Sequence, residues 1–423
     1  MRLQLRLAGK SPTRYARTTT FSRRDEAPDR TTATCGKHTR TTAQMNFVAL
    51  KMLTGDRAKY LSLIFSVAFA SFLIAQQASI FTGLMLRTAS QIRDVVDAEI
   101  WVMDRATQYI DEIRALPDDA LYRVRGVPGV QWAVRLFKGQ ATTRAEDGKF
   151  RAVILLGLDD ATLVGAPHTM LVGRFEDLRQ PDAVIIDRAG YEYFYPGQPL
   201  RTGDVMEMND HRAAIVGICE ASAPFATFPV VYTRYSLAIN YVGRERDQLS
   251  LILAKPAGFG SATDVCNQIE KATGLKARTT NQFTWQTIQY YLQNTGIPVN
   301  FGITIAVALI VGTVVAGQTF YIFTLENLKQ FGVLKAIGVT NRRLVGMILL
   351  QALVVAAIGY ALGMGLAAEF FNITIHRTAT RGFVMLWPIM AGTGAIIFSV
   401  VVVASLLSVR KVLVLESAIV FRG

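Results

Sequence analysis

Tyr60-Leu-Ser-Leu-Ile-Phe-Ser-Val-Ala-Phe-Ala-Ser-Phe-Leu-Ile-Ala-Gln-Gln-Ala-Ser-Ile-Phe-Thr-Gly-Leu-Met-Leu86 is 27 residues without an acid, a lysine or an arginine. At about 1.5 Å per residue a helix of that length reaches about 40 Å, beyond the ~30 Å hydrocarbon core of a bilayer. Three more such runs follow. One is charge-free from Thr279 to Leu325, with its apolar part at Ile297–Leu325; the others are Leu344–Ala368 and Phe383–Val409. About 20 helical residues suffice to cross, so each run can span. A single run could be the buried helix of a soluble domain, but four, each flanked by charge, define an α-helical membrane protein. None of the runs holds an acid or a base, which argues against a proton or ion relay through them.

The chain has 423 residues, 51% hydrophobic and 18% charged, with a mean hydropathy of +0.28. That composition excludes a disordered protein, and the charged share is below the roughly 25% of soluble domains. The net charge is +13, but residues 1–44 hold ten basic and three acidic residues and so carry +7 of it. A broad nucleic-acid surface is therefore not expected. Lysine and arginine also orient the spans. The pieces 45–59, 326–343 and 410–423 carry +2, +3 and +2, whereas 87–296 holds 23 basic and 25 acidic residues. The positive-inside rule places both termini and the 326–343 loop in the cytoplasm, and the 87–296 insert and the 369–382 loop outside, with Arg377 and Arg381 running against it.

The expected order is a basic segment at 1–44, an amphipathic cytoplasmic segment at 45–59, spans at 60–86, 297–325, 344–368 and 383–409, and a tail at 410–423. Residues 1–44 are rich in Arg and Thr. They read as a tail on anionic lipid, as a transit peptide weakened by Asp25, Glu26 and Asp29, or as disorder or an extension ahead of a start at Met45. The insert is expected to be mixed α/β, entered by a helix that continues past Arg87 as a stalk and left through a second stalk, Phe283–Leu292. Strands are expected at 98–103, 132–137, 140–144, 152–157, 183–186, 204–208, 212–218, 230–232, 249–254 and 276–279, with helices at 118–125 and 261–273. The implied layout is an α/β lobe from 95–160 and 249–280, with a β-rich lobe inserted at about 165–245.

No reaction centre is expected in the insert. Its histidines, His168 and His211, lack metal-ligand spacing, and the adjacent pairs Asp118-Asp119 and Asp159-Asp160 read as turns or helix starts, because adjacent side chains point apart. No catalytic residue, metal or directly bound cofactor is assigned. Tyr191-Glu-Tyr-Phe-Tyr and Ala223-Pro-Phe-Ala-Thr-Phe-Pro are candidate contact surfaces, the first better read as core. Cys219 and Cys266 could pair only in an oxidising compartment. Gly312-Thr-Val-Val-Ala-Gly317-Gln318-Thr319 has the spacing of a phosphate loop, but Gln318 stands where the lysine is needed and the stretch lies inside a span. Gly312 and Gly317, like Gly359 and Gly363 in the third run, are instead read as positions of close helix packing.

The 18 residues between the second and third spans read Glu326-Asn-Leu-Lys-Gln-Phe-Gly-Val-Leu-Lys-Ala-Ile-Gly-Val-Thr-Asn-Arg-Arg343. Phe331, Leu334 and Ile337 repeat at helical spacing, Lys329, Lys335, Arg342 and Arg343 are solvated, Gly338 stops a short helix, and Thr340 or Asn341 can cap the next. This run resembles the signature of FtsX-like ABC permeases, to which Gly332, Val333, Leu334, Lys335, Ala336, Ile337, Gly338, Arg342 and Arg343 conform, while Gln330 and Phe331 stand where relatives have Glu and Ile. The resemblance covers nearly everything except residues 1–44. Asp97-Ala-Glu-Ile-Trp-Val and the Lys-Gln-Phe-Gly form resemble DevC-type members, relatives of MacB and the lipoprotein-release permeases.

The resemblance implies a MacB/FtsX-like fold, four transmembrane helices with a large α/β extracytoplasmic domain inserted between the first and second, in a bacterial inner membrane. It implies a permease, not an enzyme, working as two copies with a separate ABC ATPase that uses ATP, a membrane-fusion adaptor and an outer-membrane channel, in contact with lipid and exporting an amphiphile. Glu326, Lys329, Gln330, Gly332, Lys335, Gly338, Arg342 and Arg343 would then couple to the ATPase. The alternative it leaves is an FtsX-like transducer that regulates a cell-wall hydrolase.

Overall fold

The computed structural model describes residues 47–53, 57–117, 119–144, 148–242, 249–258, 261–374, 383 and 385–414, with 59 and 409–414 described by backbone alone. The segment 1–44, Asp118, Arg377, Arg381 and the tail beyond 414 lie outside them. A short helix α1 (47–53) precedes α2 (Arg57–Thr88) and α3 (Ser90–Asp94). The inserted domain then runs β1 (Ile100–Met103), α4 (Ala120–Arg125), β2 (Val130–Arg144), β3 (Phe150–Leu158), β4 (Thr169–Val172), β5 (Ala183–Asp187), α5 (Arg188–Phe194), β6 (Val205–Met208), β7 (His211–Glu220), β8 (Val230–Arg234), α6 (Tyr235–Val242), β9 (Leu251–Pro256), α7 (Ala262–Thr273) and β10 (Lys276–Thr279). The chain returns through α8 (Thr280–Asn294) and ends in α9 (Ile297–Glu326), α10 (Leu328–Ala336), α11 (Asn341–Thr374) and α12 (Trp387–Val414).

Among the described residues four helices, α2, α9, α11 and α12, are long and apolar enough to cross a membrane. The expected architecture is present, with the large α/β domain between the first and second of them. α2 packs against α9, α11 and α12. Leu63, Val67 and Ile74 of α2 meet Phe320 of α9, Val355 of α11 and Val401 of α12 in one buried cluster. α11 is longer than the apolar run suggests, because Arg342 and Arg343 occupy its exposed first turn and it continues past Ala368 to Thr374. α12 starts at Trp387, not at Phe383, and carries Pro388 in its first turn, where a missing N–H is tolerated.

The inserted domain departs from the two-lobe expectation. Its strands form a single ten-stranded sheet in the order β10-β1-β9-β2-β3-β8-β5-β7-β4, with β6 on β2 and β7. The seam between the expected lobes is the parallel pair of β3 and β8, from Ile154 opposite Val230 to Leu158 opposite Arg234. β2 is one 15-residue strand where two were expected. Its N-terminal half pairs with β9 and its C-terminal half with β3 and β6, so it stitches the domain together. Gly139 falls in the gap between the two expected strands, yet it lies within β2, where a side chain would strike the Phe137 ring at 2.8 Å. Both sheet faces are covered. One face holds Phe137, Tyr191, Tyr241 and Ile269, and the other holds Trp101, Leu253, Phe283 and Tyr291. Tyr191, Phe194 and Tyr195 are therefore core, with Tyr193 half exposed.

The stalks are set by local chemistry. The first is not continuous: α2 stops at Thr88, and Ala89, at φ −114° and ψ 14°, separates it from α3. The return begins at a capping box in which the Thr279 hydroxyl accepts from the Gln282 N–H and the Gln282 side chain accepts from the Thr279 N–H. α8 then packs against α2, α3 and β1. Cys219 and Cys266 are both buried, and burial pushes the Cys266 thiol up to about 12.

Candidate coupling site

α9 and α10 are separated by Asn327 alone, whose side-chain amide donates to the Phe323 carbonyl at 2.8 Å. α10 ends in a Schellman turn. The Gly338 N–H bonds the Lys335 carbonyl and the Val339 N–H bonds the Leu334 carbonyl, each at 3.0 Å, and Gly338 has φ +95°. The Thr340 carbonyl then accepts from the Arg343 and Leu344 N–H groups, which starts α11. The segment is therefore a rigid reversal between two membrane helices.

Phe331 anchors it. This ring is 1% exposed and packs among Ala49, Leu344, Met347 and Ile348, with Leu328, Leu334 and Val339 around it. Ile337, expected on the same apolar face, is 76% exposed, because α10 stops at Ala336 and leaves Ile337 outside its packed face. Gly332 is buried beside Phe331 rather than at the surface. Glu326, Lys329, Gln330, Val333, Ala336, Ile337, Gly338, Arg342 and Arg343 are exposed, and Lys335 is half-buried. The outer face is thus apolar at Val333 and Ile337 and basic around them, a surface that can dock a partner.

α1 completes the site, a role sequence reasoning missed. Ala49 is fully buried in the Phe331 cluster, and the Gln351 amide donates to the Ala49 carbonyl at 2.7 Å. Gln351 is the one amide side chain in the Leu344–Ala368 run, which was the available signal. Behind the site, the small residues set how closely the helices approach. A side chain at Gly363 would meet the Ala68 carbonyl at 2.5 Å, one at Gly359 the Val67 Cβ at 2.7 Å, and one at Gly312 the Ala70 Cβ at 2.6 Å. Gly317 is different, with only the Ala404 Cβ at 3.9 Å.

The external-domain end of α2 is built from buried charge. Arg87, 5% exposed, donates from Nε to the Pro224 carbonyl at 3.3 Å and lies 5.1 Å from the Phe383 ring centre. The 223–229 loop is thus a clamp on the stalk. Lys138, 4% exposed, places Nζ 2.5 Å from Asp111 Oδ1 and 3.2 Å from the Ile110 carbonyl. Burial holds its ammonium below the usual lysine range, against the pull of Asp111. Tyr291 of α8 donates to Asp111 Oδ2 at 3.2 Å, and burial with the nearby carboxylate raises its phenol. Tyr109 stacks on Tyr290 with ring centres 4.2 Å apart. The sheet, the 104–116 loop and the returning stalk are therefore tied at one point. Asp159 takes the turn role expected of it, accepting from Thr162, while Asp160 accepts from the distant Ser236 hydroxyl.

Residues 302–416, which hold this segment and the last three membrane helices, match the family model described as FtsX-like permease C-terminal. An uncharacterized ABC transporter permease of Mycobacterium tuberculosis is 26% identical over 335 residues, 76% of this chain and 85% of the relative. One of Mycobacterium bovis is 32% identical over 117 residues, 27% of this chain and 31% of the relative. The periplasmic region of MacB from Actinobacillus actinomycetemcomitans is similar at a TM-score of 0.36 and 14% identity, over 48% of this chain and 96% of that one. The relatives that match most of this chain are named ABC transporter permeases. Residues 302–416 are an FtsX-like permease domain.

Proposed function

We propose that this chain is the permease subunit of a DevC-type ABC exporter whose motor is a separate ATPase docking on the exposed face of residues 326–343. The observation that carries the reading is the form of that face. A buried phenylalanine and a Schellman turn hold it rigid, while Val333, Ile337, Lys329, Arg342 and Arg343 are left exposed. Exposed apolar side chains ringed by charge are the ordinary composition of a docking patch. The loop charge supports a cytoplasmic setting for it and for both termini, in an inner membrane. Two copies and two ATPases form the working unit. ATP-driven closure of the ATPases pulls on α10, α9 and α11 carry the motion outward, and α8 passes it to the sheet. The cargo is an amphiphile taken up on the external side and passed to an adaptor and an outer-membrane channel.

The test is nucleotide hydrolysis by the complex purified from native membranes, with Lys335→Ala and Gly338→Ala compared with wild type. Loss of substrate-stimulated hydrolysis with the complex still assembled is expected, and unchanged hydrolysis in both variants overturns the coupling role. Recovery of a cell-wall hydrolase in place of an adaptor moves the function to a transducer.

A further inference from the structure

α9 is the least buried of the four membrane helices: 17% of its apolar stretch lies inside the protein, against 50% for α2 and 44% for α11. Ala308, Gly312, Ala316 and Phe320 turn inward, while Ile303, Val307, Ile310, Val314 and Ile322 share the other side at 41–61% exposure. Apolar exposure alone means little here, because lipid tails cover such a side as well as protein does. Gln318 sets this side apart. It falls within the stripe, is exposed, and makes no hydrogen bond among the described residues. It lies eight residues, about 12 Å, from the inner end of α9 at Glu326, which is inside the hydrocarbon core. The hydroxyls of Thr304, Thr313, Thr319 and Thr324 each donate to the carbonyl four residues earlier, at 2.7–3.0 Å, and so are answered within the helix. The Gln318 amide is not, and an amide in hydrocarbon is costly unless another protein group meets it.

We propose that the α9 stripe packs against the same stripe of a second copy of this chain, with the two Gln318 amides bonded to each other across a two-fold axis. The chemistry of the face selects that occupant. An amide carries both a donor and an acceptor, so two of them related by a two-fold axis exchange N–H···O=C bonds in both directions and neither is left unmet. Ile297–Leu325 holds no acid, lysine or arginine, so identical faces meet without charge repulsion. Isoleucine and valine are stiff at χ1 and lose little freedom on packing. Lipid tails offer the amide nothing at this depth. Gln318, which rules out a phosphate loop, thus has a use of its own. The proposal rests on the two-copy reading and names its contact, and it needs no ATPase, adaptor or cargo to be measured.

The test is disulfide formation by the full-length chain in native membranes under copper phenanthroline, with Gln318→Cys, Val314→Cys and Leu366→Cys compared and the unsubstituted chain as background. Leu366 of α11 is 58% exposed and serves as the control. Linked dimers from Gln318→Cys and Val314→Cys, and none above background from Leu366→Cys, are expected. In detergent, Gln318→Leu is expected to raise the dissociation constant of the dimer about tenfold, with Gln318→Asn, which keeps the amide, closer to wild type. A Gln318→Leu dimer as tight as wild type, linked dimers from Leu366→Cys alone, or a disulfide from position 318 to a different membrane protein overturns the proposal. A stable dimer that gives no disulfide at 318 or 314 removes this contact and keeps the two-copy reading. A chain that is monomeric in membranes and in detergent removes both.

Discussion

The two ends of the α2–α11 pair are built on opposite plans. At the 326–343 end, Phe331 is buried but Val333 and Ile337 are exposed and the surrounding charges are solvated. At the external-domain end, Arg87 and Lys138 are buried, and behind the Asp111 bridge Tyr109 stacks on Tyr290 while Tyr291 meets both edge-on. An exposed patch can gain and lose a partner at small cost. A buried charge cannot change partners without the desolvation penalty of an unpaired ion. One end is therefore suited to exchange partners and the other to move as a unit.

The contrast depends on a stiff shaft between the ends, so the largest effect is expected there. Gly363→Leu drives a side chain onto the Ala68 carbonyl, and a loss of about 3 kcal/mol is expected, read as lowered melting temperature of the detergent-solubilised full chain. Gly317→Ala, where only the Ala404 Cβ lies at 3.9 Å, is the matched control and is expected to be close to silent. Next comes the buried pair. Asp111→Ala strands the Lys138 ammonium and is expected to cost about 2–3 kcal/mol, whereas Lys138→Met, which leaves a half-exposed carboxylate, costs far less. Equal losses in both would mean the outer end is not organised around a buried cation.

The same pair gives a pH dependence. Lys138 is held below the usual lysine value in the fold, so in the window just under 10.5 the unfolded chain binds more protons and stability rises with pH. Lys138→Met is expected to flatten that slope, measured as melting temperature against pH. At the other end, Gly338→Ala forces a side chain to φ +95° with no neighbour to clash against, and about 1 kcal/mol is expected, with Gly338→Asn milder. A small stability change is also expected for Ile337→Asp, within about 0.5 kcal/mol for so exposed a position, although it removes the apolar centre of the proposed docking face.

Legibility in the sequence followed the strength of the local signal. The membrane helices were plain because 20-odd apolar residues have few other uses, and the short helix with its glycine stop was plain because Gly338 sits where a Schellman turn needs it. Which side of that helix faces inward was not: Phe331 and Ile337 look alike at helical spacing, and only the early stop at Ala336 separates them. The single sheet was hidden for a different reason. β2 contains Lys138 and Gly139 side by side, which read as a break, but the lysine is buried against Asp111 from a distant loop and the glycine makes room for Phe137. Both are tertiary facts, invisible to a local pattern, as is the Gln351 bond that ties α1 to α11.

The most direct measurement is photocrosslinking in living cells with p-benzoylphenylalanine placed at Ile337 and, separately, at exposed Val96 next to α3. An adduct between position 337 and an ABC ATPase, with none from position 96, is the result this account predicts. An ATPase adduct from position 96, or none from position 337 in a protein that still assembles, would contradict it.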